Sequence, residues 1–258
     1  MRTGSAESGG ASAQSRAPGR RAEPVPVEIA PRVYEIALTR VRAHLIAEDD
    51  LTLIDAGLPQ SVGQIDRAIA AVGRSPAELA RVICTHGHPD HAGGAAELGL
   101  RDGVELLIHP ADLANLPITV GQALRRPSRG RLFAAVTPLP GHSVPIVDGD
   151  VLPVLGGLHV IHVPGHTPGS VCLYAPRNRL LFVGDALQAR FGRVGFASRL
   201  YSDDWGAARA SVQRLAELDV ETIVFSHYPP WSDDAKGVLG RLAAEAAADG
   251  AGGPTRKR

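Results

Sequence analysis

Thr85-His86-Gly87-His88-Pro89-Asp90-His91 is the stretch on which the reading of this chain turns. Between positions 86 and 91 it sets three imidazoles and one carboxylate, the donor types that Zn²⁺ and similar divalent ions take. His86 and His88 are two residues apart and can converge only if the chain turns between them, which Gly87 permits. Pro89 then limits the loop and directs Asp90 and His91 toward a second centre. The stretch follows the β-branched, apolar run Arg81-Val82-Ile83-Cys84. A buried strand therefore ends where the loop begins, the usual place for function on a rigid scaffold.

Histidines also cluster on surfaces by chance, but the pattern continues downstream. His166 lies in Val163-Pro164-Gly165-His166-Thr167-Pro168-Gly169-Ser170, Asp185 ends Leu180-Leu181-Phe182-Val183-Gly184-Asp185, and His227 ends Ile223-Val224-Phe225-Ser226-His227. Upstream, Asp55 ends Leu53-Ile54-Asp55. Each time an apolar run delivers one polar residue at its tip. Turn chemistry accounts for any one of these. It does not account for all of them together.

The chain has 258 residues, 44% of them hydrophobic, enough for one large domain or two small ones with a substantial core. Its 27 basic and 27 acidic residues cancel, which argues against general affinity for nucleic acid or an anionic membrane. Only Lys236 and Lys257 among the basic residues are lysines, a compositional bias rather than a site. Cys84 and Cys172 lie in apolar runs and read as buried small hydrophobes, with a reducing compartment as the default. No run approaches the ~18 apolar residues of a membrane span, and no secretory signal is evident at the N-terminus. The expectation is a cytoplasmic protein acting on a small molecule, with no nucleic-acid or membrane partner.

Residues 1–26 are mostly Gly, Ala, Ser, Pro and Arg and read as a disordered tail, as do residues 249–258. A single domain is expected over residues 27–248. Strands fit Arg32–Leu38, Val41–Ile46, Leu51–Ile54, Arg81–Cys84 and Val104–Ile108. Helices fit Ser61–Val72, His91–Leu98 and Ala111–Leu116. After a Pro- and Arg-rich segment over 117–143, which reads as a lid or insertion, strands fit Val151–Val154, Leu158–Val163, Ser170–Tyr174, Leu180–Val183 and Glu221–Phe225. Helices fit Asp203–Leu218 and Ala235–Ala247. Strands come in groups with helices after each group, which predicts an α/β fold: two sheets face to face with helices outside, an αββα sandwich of two similar halves.

These motifs resemble those of the metallo-β-lactamase-fold hydrolases: the His-x-His-x-Asp-His string, the Gly-His of the third motif, the Gly-Asp of the fourth and the final Ser-His. The resemblance covers roughly residues 30 to 245 and implies an αββα sandwich of two mixed sheets with a two-metal site along one edge. Carried over, it implies that His86, His88 and His166 bind a first metal and that Asp90, His91 and His227 bind a second. Asp185 would bridge them together with a hydroxide, and Asp55 would orient a histidine ligand. The implied cofactors are two divalent ions, zinc in the first instance, with iron or manganese as alternatives. The implied chemistry is hydrolysis by hydroxide at neutral pH, with Asp90 as a catalytic group holding the water proton.

Departures from particular branches narrow the expectation. The commonest β-lactamases place Cys where Asp185 stands, and flavodiiron members place Glu where His88 stands. Thioesterases of the glyoxalase II type share the ligand set but add a sizeable C-terminal helical domain, for which residues 228–258 are too few. Quorum-quenching lactonases carry a tyrosine near the bridging Asp, where Gln188 stands here; Tyr201 or Tyr228 could supply a hydroxyl. RNA-processing phosphodiesterases need a long gripping arm, and Arg125–Arg131 is a faint hint of anion binding at most. The expectation is a binuclear hydrolase of an ester, thioester or lactone. The alternatives are an oxidoreductase like the mononuclear-iron persulfide dioxygenases and a non-catalytic metal-binding module. His162 sits close enough to His166 to support it. His44, His109, His142 and His159 read as surface or core histidines, and Trp205 and Trp231 as packing residues.

Overall fold

The computed structural model describes residues 25–113 and 142–251. It is a sandwich of two mixed sheets. The first sheet takes its strands in chain order: β1 (Val27–Ala30), β2 (Val33–Ala37), β3 (Arg42–Ala47), β4 (Leu51–Ile54), β5 (Leu79–Ile83), β6 (Glu105–Ile108) and β7 (Val144–Pro145). The pairs from β1 to β4 are antiparallel and those from β4 to β7 parallel. The second sheet is built from β8 (Val151–Leu152), β9 (Leu158–His162), β10 (Val171–Ala175), β11 (Leu180–Phe182) and, after a detached hairpin of β12 (Leu187–Arg190) and β13 (Arg193–Phe196), β14 (Thr222–Val224). Its order is β14-β11-β10-β9-β8, with β11 and β14 parallel and the other pairs antiparallel.

Alternation of side chains along the strands divides the core into three apolar layers. Ile46, Ile54, Ile83 and Leu107 of the first sheet meet Val160, Leu173, Phe182 and Val224 of the second in the middle layer. Leu45, Leu53, Val82 and Leu106 point the other way, under helix α1 (Val62–Ala71) and its Ile65 and Ile69. Ile161, Cys172 and Leu181 do the same on the far side, where α5 (Trp205–Leu215) presents Val212 and Leu215 and α6 (Ala235–Ala251) presents Val238 and Leu239. Both faces of the central strands are covered, which is why they read as nearly unbroken apolar runs. The two cysteines are free, buried and in different outer layers, Cys84 in one and Cys172 in the other.

Several boundaries differ from the sequence reading. The helix expected over His91–Leu98 is two short helices, α2 (Pro89–Ala92) and α3 (Ala95–Leu98). Gly93 and Gly94 separate them because the Ala56–Pro59 backbone presses against both: a Cβ on Gly94 would lie 2.5 Å from the Ala56 carbonyl oxygen. The helix expected over Ala111–Leu116 begins one residue earlier, as α4 (Pro110–Leu113), and residues 114–116 lie outside the described residues. The last helix runs to Ala251, so residues 249–251 are helical rather than part of a tail, with Asp249 ion-paired to Arg209. Strand β1 and the β12–β13 hairpin have no counterpart in the sequence reading, since Gln188, Arg190 and Arg193 dilute the apolar alternation in the hairpin. The N-terminal tail up to residue 24, the 117–141 part of the expected lid and residues 252–258 lie outside the described residues. Among the described residues no helix is long and apolar enough to cross a membrane.

Candidate metal centre

The pairs β4–β5 and β11–β14 are parallel, and the chain leaves their carboxyl ends at one edge of the sandwich. That is where open α/β sheets place their sites. Asp55 follows β4, and Thr85 to His91 follow β5. Asp185 follows β11, and Ser226 and His227 follow β14. His166 arrives on the turn between β9 and β10. Backbone bonds join the two halves here: Val171 N–H donates to the Thr85 carbonyl at 2.9 Å and Arg42 N–H to that of Ser226 at 2.7 Å.

The structure gathers all seven proposed donors. His88 Nδ1 lies 3.0 Å from His86 Nε2 and 3.1 Å from His166 Nε2. His227 Nε2 lies 3.3 Å from His91 Nε2 and 3.5 Å from Asp90 Oδ2. Asp185 stands between the two groups. Its Oδ2 is 3.4 Å from His166 Nε2, and its Oδ1 is 3.2 Å from His227 Nε2 and 3.6 Å from His91 Nε2. Donors bound tetrahedrally at ~2.0–2.1 Å sit about 3.3 Å apart. The observed separations fit a divalent ion in each group.

Hydrogen bonds behind the rings point the lone pairs the right way. Asp55 Oδ2 accepts from His91 Nδ1 at 2.8 Å, which leaves Nε2 facing the second group. Thr85 Oγ1 donates to Asp55, so it accepts from His86 Nδ1 at 3.2 Å and leaves Nε2 facing the first. The Arg40 carbonyl accepts from His227 Nδ1 at 2.7 Å. Asp55 also accepts from Thr85 N–H and Ser226 Oγ. It sits at φ +59°, a left-handed conformation that Asp tolerates better than most residues.

Charge divides the site. Burial holds His86, His88 and His166 below the ordinary histidine range, so their lone pairs are free for a cation. Burial also opposes a charge on His91, yet Asp55, Asp90 and Asp185 outweigh it and raise its pKa to about 10. His227 is raised as well; burial opposes, but the hydrogen bond to Asp185 prevails. Burial would raise Asp185, but His91, His227 and His166 hold it well below the carboxylate range. Three carboxylates around buried imidazoles demand positive charge, which a metal ion satisfies as well as a proton. The first group is the more buried, its three histidines being at most 5% exposed, and of these His88 reaches the cavity wall. Asp90, Asp185 and His227 open onto a cavity of about 590 Å³ lined also by Arg40, Leu58, Gln188, Arg190, Tyr201 and Tyr228.

Sequence reasoning missed Asp112. Its Oδ2 accepts from Gly87 N–H at 2.7 Å and Thr167 Oγ1 at 2.8 Å, and its Oδ1 accepts from Gly169 N–H at 2.6 Å. One buried carboxylate thus ties the loop of His86 and His88 to the loop of His166. A signal for it exists in the sequence, since it comes soon after the apolar end of β6. His162 Nε2 donates to the Pro168 carbonyl at 2.9 Å and so steadies the same loop, while its ring stacks on His109 at 4.1 Å. His44 is buried against Phe182, and burial lowers its pKa to about 4. Trp205 donates its Nε1–H to the Ala197 carbonyl, and Trp231 packs on the outer layer of the second sheet.

Comparison with known proteins finds relatives over much of the chain. The family model described as the metallo-beta-lactamase superfamily matches residues 38–227. The probable metallo-hydrolase YflN of Bacillus subtilis (strain 168) is 32% identical over 202 residues, 69% of this chain and 75% of that protein. A hydroxyacylglutathione hydrolase of Pseudomonas savastanoi pv. phaseolicola is 31% identical over 151 residues, 57% of this chain but only 46% of that enzyme. Among solved structures, a metallo-beta-lactamase family protein from Thermus thermophilus superposes with a TM-score of 0.66 at 25% identity, covering 86% of this chain and 81% of that one.

Proposed function

Since the chain belongs to the metallo-beta-lactamase superfamily, we propose that it is a binuclear, zinc-dependent hydrolase that cleaves an ester, thioester or lactone in a small molecule. Asp185 carries this reading: its two oxygens face different groups of nitrogen donors. His86, His88 and His166 would hold one ion and Asp90, His91 and His227 the other, with Asp185 shared. Ions bound there supply hydroxide near neutral pH and polarise the substrate carbonyl.

The chain's own residues supply orientation and a proton path. Asp55, Thr85 and the Arg40 carbonyl fix the tautomers of His91, His86 and His227, so each presents Nε2. Asp90 lines the cavity and is placed to hold the proton of the attacking water. Hydroxide adds to the carbonyl carbon, the bond to sulfur or oxygen breaks, and that proton passes to the departing thiolate or alkoxide. The cavity falls within the ~300–1,000 Å³ typical of small-molecule sites. Tyr201 and Tyr228 are part of its wall.

The test is an initial-rate panel on zinc-loaded protein: a glutathione thioester, an acyl-CoA, an acyl-homoserine lactone, a cephalosporin, an aryl ester and an aryl phosphodiester. We expect turnover of an ester, thioester or lactone. Asp185→Ala should lose one of two bound ions and at least about 10²-fold in rate, as a deleted bridging group should. Full rate with both ions retained in that variant would sink the mechanism. One iron per chain with oxygen uptake would replace hydrolysis by oxidation.

A further inference from the structure

Arg40 and Arg190 line the cavity onto which Asp90, Asp185 and His227 open. Many arginines of this protein are committed to ion pairs: Arg81 pairs with Asp50, Arg101 with Asp66 and Arg214 with Asp148, each at 2.9 Å. The Arg40 and Arg190 guanidiniums pair with no carboxylate among the described residues. The contact made by Arg190 is with the ring of its neighbour Phe191, 6.0 Å from the guanidinium carbon. The carboxylates of the cavity wall, Asp90 and Asp185, both belong to the donor set. Nothing else among the described residues of the wall neutralises the two cations.

Both arginines are held in place by the scaffold of the metal centre. Arg40 sits at φ +69° in the tight turn between β2 and β3, closed by Leu38 N–H to the Val41 carbonyl. Its own carbonyl accepts from His227 Nδ1, so the backbone that orients a donor also carries the guanidinium. Arg190 ends β12. Strand alternation puts it on the same face as Gln188, which follows Asp185 by three residues and also lines the cavity. The two-residue turn after it, Phe191 at φ +53° and Gly192 at φ +71°, gives the hairpin the tight twist of a primed turn. Leu58, Leu187 and Pro89 supply apolar wall in the same cavity.

We propose that Arg40 and Arg190 form an anion subsite that binds a carboxylate or phosphate of the substrate, at a distance from the bond that is cleaved. A guanidinium fork suits either group, by paired N–H donors. The apolar wall accommodates the carbon chain between the anion and the reacting carbonyl. The inference rests on the reading that this cavity is where the hydrolase takes its substrate.

The test uses matched probes on the zinc-loaded full chain. S-Acetyl-3-mercaptopropionate and its neutral amide have nearly the same shape but only the first carries a charge, and S-acetyl-2-mercaptoethyl phosphate supplies the other anion. The wild type should favour an anionic thioester over the amide by at least about ten-fold in kcat/KM, chiefly through KM. In the Arg40→Gln/Arg190→Gln double variant, shown folded by its melting curve, that ratio should fall toward one. The carboxylate-to-phosphate ratio identifies which anion the site takes. Binding of S-hexyl-3-mercaptopropionate and of its amide, thioethers that cannot be hydrolysed, is measured alongside by calorimetry. Equal affinity for the two in the wild type, or a preference that survives in the double variant, would overturn the subsite. Selective, arginine-dependent binding without thioester turnover would uphold the subsite and count against thioester hydrolysis in the proposed function instead.

Discussion

Asp112 is a buried carboxylate with no cationic partner among the described residues, and such groups are costly unless hydrogen-bonded. Burial raises its pKa from 3.8 to about 6, although Thr167, Gly169 and Gly87 all hydrogen-bond to it and pull the other way. Between those values the folded chain holds the proton more tightly than the unfolded one. The contribution of this group to stability therefore rises as pH falls from 7 toward 5. Asp112→Asn removes the titration and turns one acceptor into a donor facing N–H and O–H groups. At pH 7 the variant should be destabilised by about 1–3 kcal/mol. Between pH 7 and pH 5 the gap should shift further in favour of the wild type by about 1 kcal/mol. Urea unfolding of both proteins across that range checks it, and a gap independent of pH would refute the assignment. Donor side chains were legible from sequence because His and Asp at strand tips stand out against apolar runs. Asp112 lies in a short helix past its strand, and the Arg40 carbonyl is backbone, which leaves no mark on residue type.

At the scale of elements, the third motif depends on a contact that only glycine allows. Gly165 has φ +136°, and a Cβ there would lie 2.1 Å from the Ala208 nitrogen in the first turn of α5. The same loop is sewn to that helix start, with Asp203 N–H donating to the His166 carbonyl at 3.0 Å and Asp204 N–H to that of Gly165 at 2.8 Å. Asp204 caps the helix through Ala207 N–H. Gly165→Ala therefore has to push α5 away or twist the loop that carries His166. We expect a loss of at least about 3 kcal/mol in stability, from backbone strain and overpacking together. We also expect weaker retention of one ion on dialysis. A melting curve and metal content within error of wild type would show the contact to be soft. Helices α1 and α5 and most strands of both sheets were readable from their periodicity. The α2–α3 break was not, because it is imposed by the Ala56–Pro59 backbone, a neighbour distant in sequence. Hairpin β12–β13 was hidden for a different reason: one of its faces lines the cavity, and polar residues there blur the strand pattern.

At the scale of the whole molecule, grouped strands and helices were enough to imply the sandwich, since each sheet needs both faces covered. The order of strands within each sheet was not legible, because register is set by contacts between residues far apart in sequence. The donors divide across that architecture. His86, His88, Asp90 and His91 come from the first sheet's loops, and His166, Asp185 and His227 from the second's. Ions bound there would link the halves in the folded state and find no such arrangement in the unfolded chain. Ligands of that kind stabilise by RT ln(1 + [L]/Kd), about 4 kcal/mol when the free ion is at about 1,000 times Kd. A chain of this size shifts by about 2–4 °C per kcal/mol, so removing the ions with a chelator should lower the melting temperature by about 10 °C. Re-addition of zinc should restore it. In Asp185→Ala, which should keep one of the two ions, about half of that zinc-dependent shift should vanish. Equal melting temperatures for chelated and zinc-loaded wild type would mean that the seven donors do not act together as a metal centre linking the two sheets.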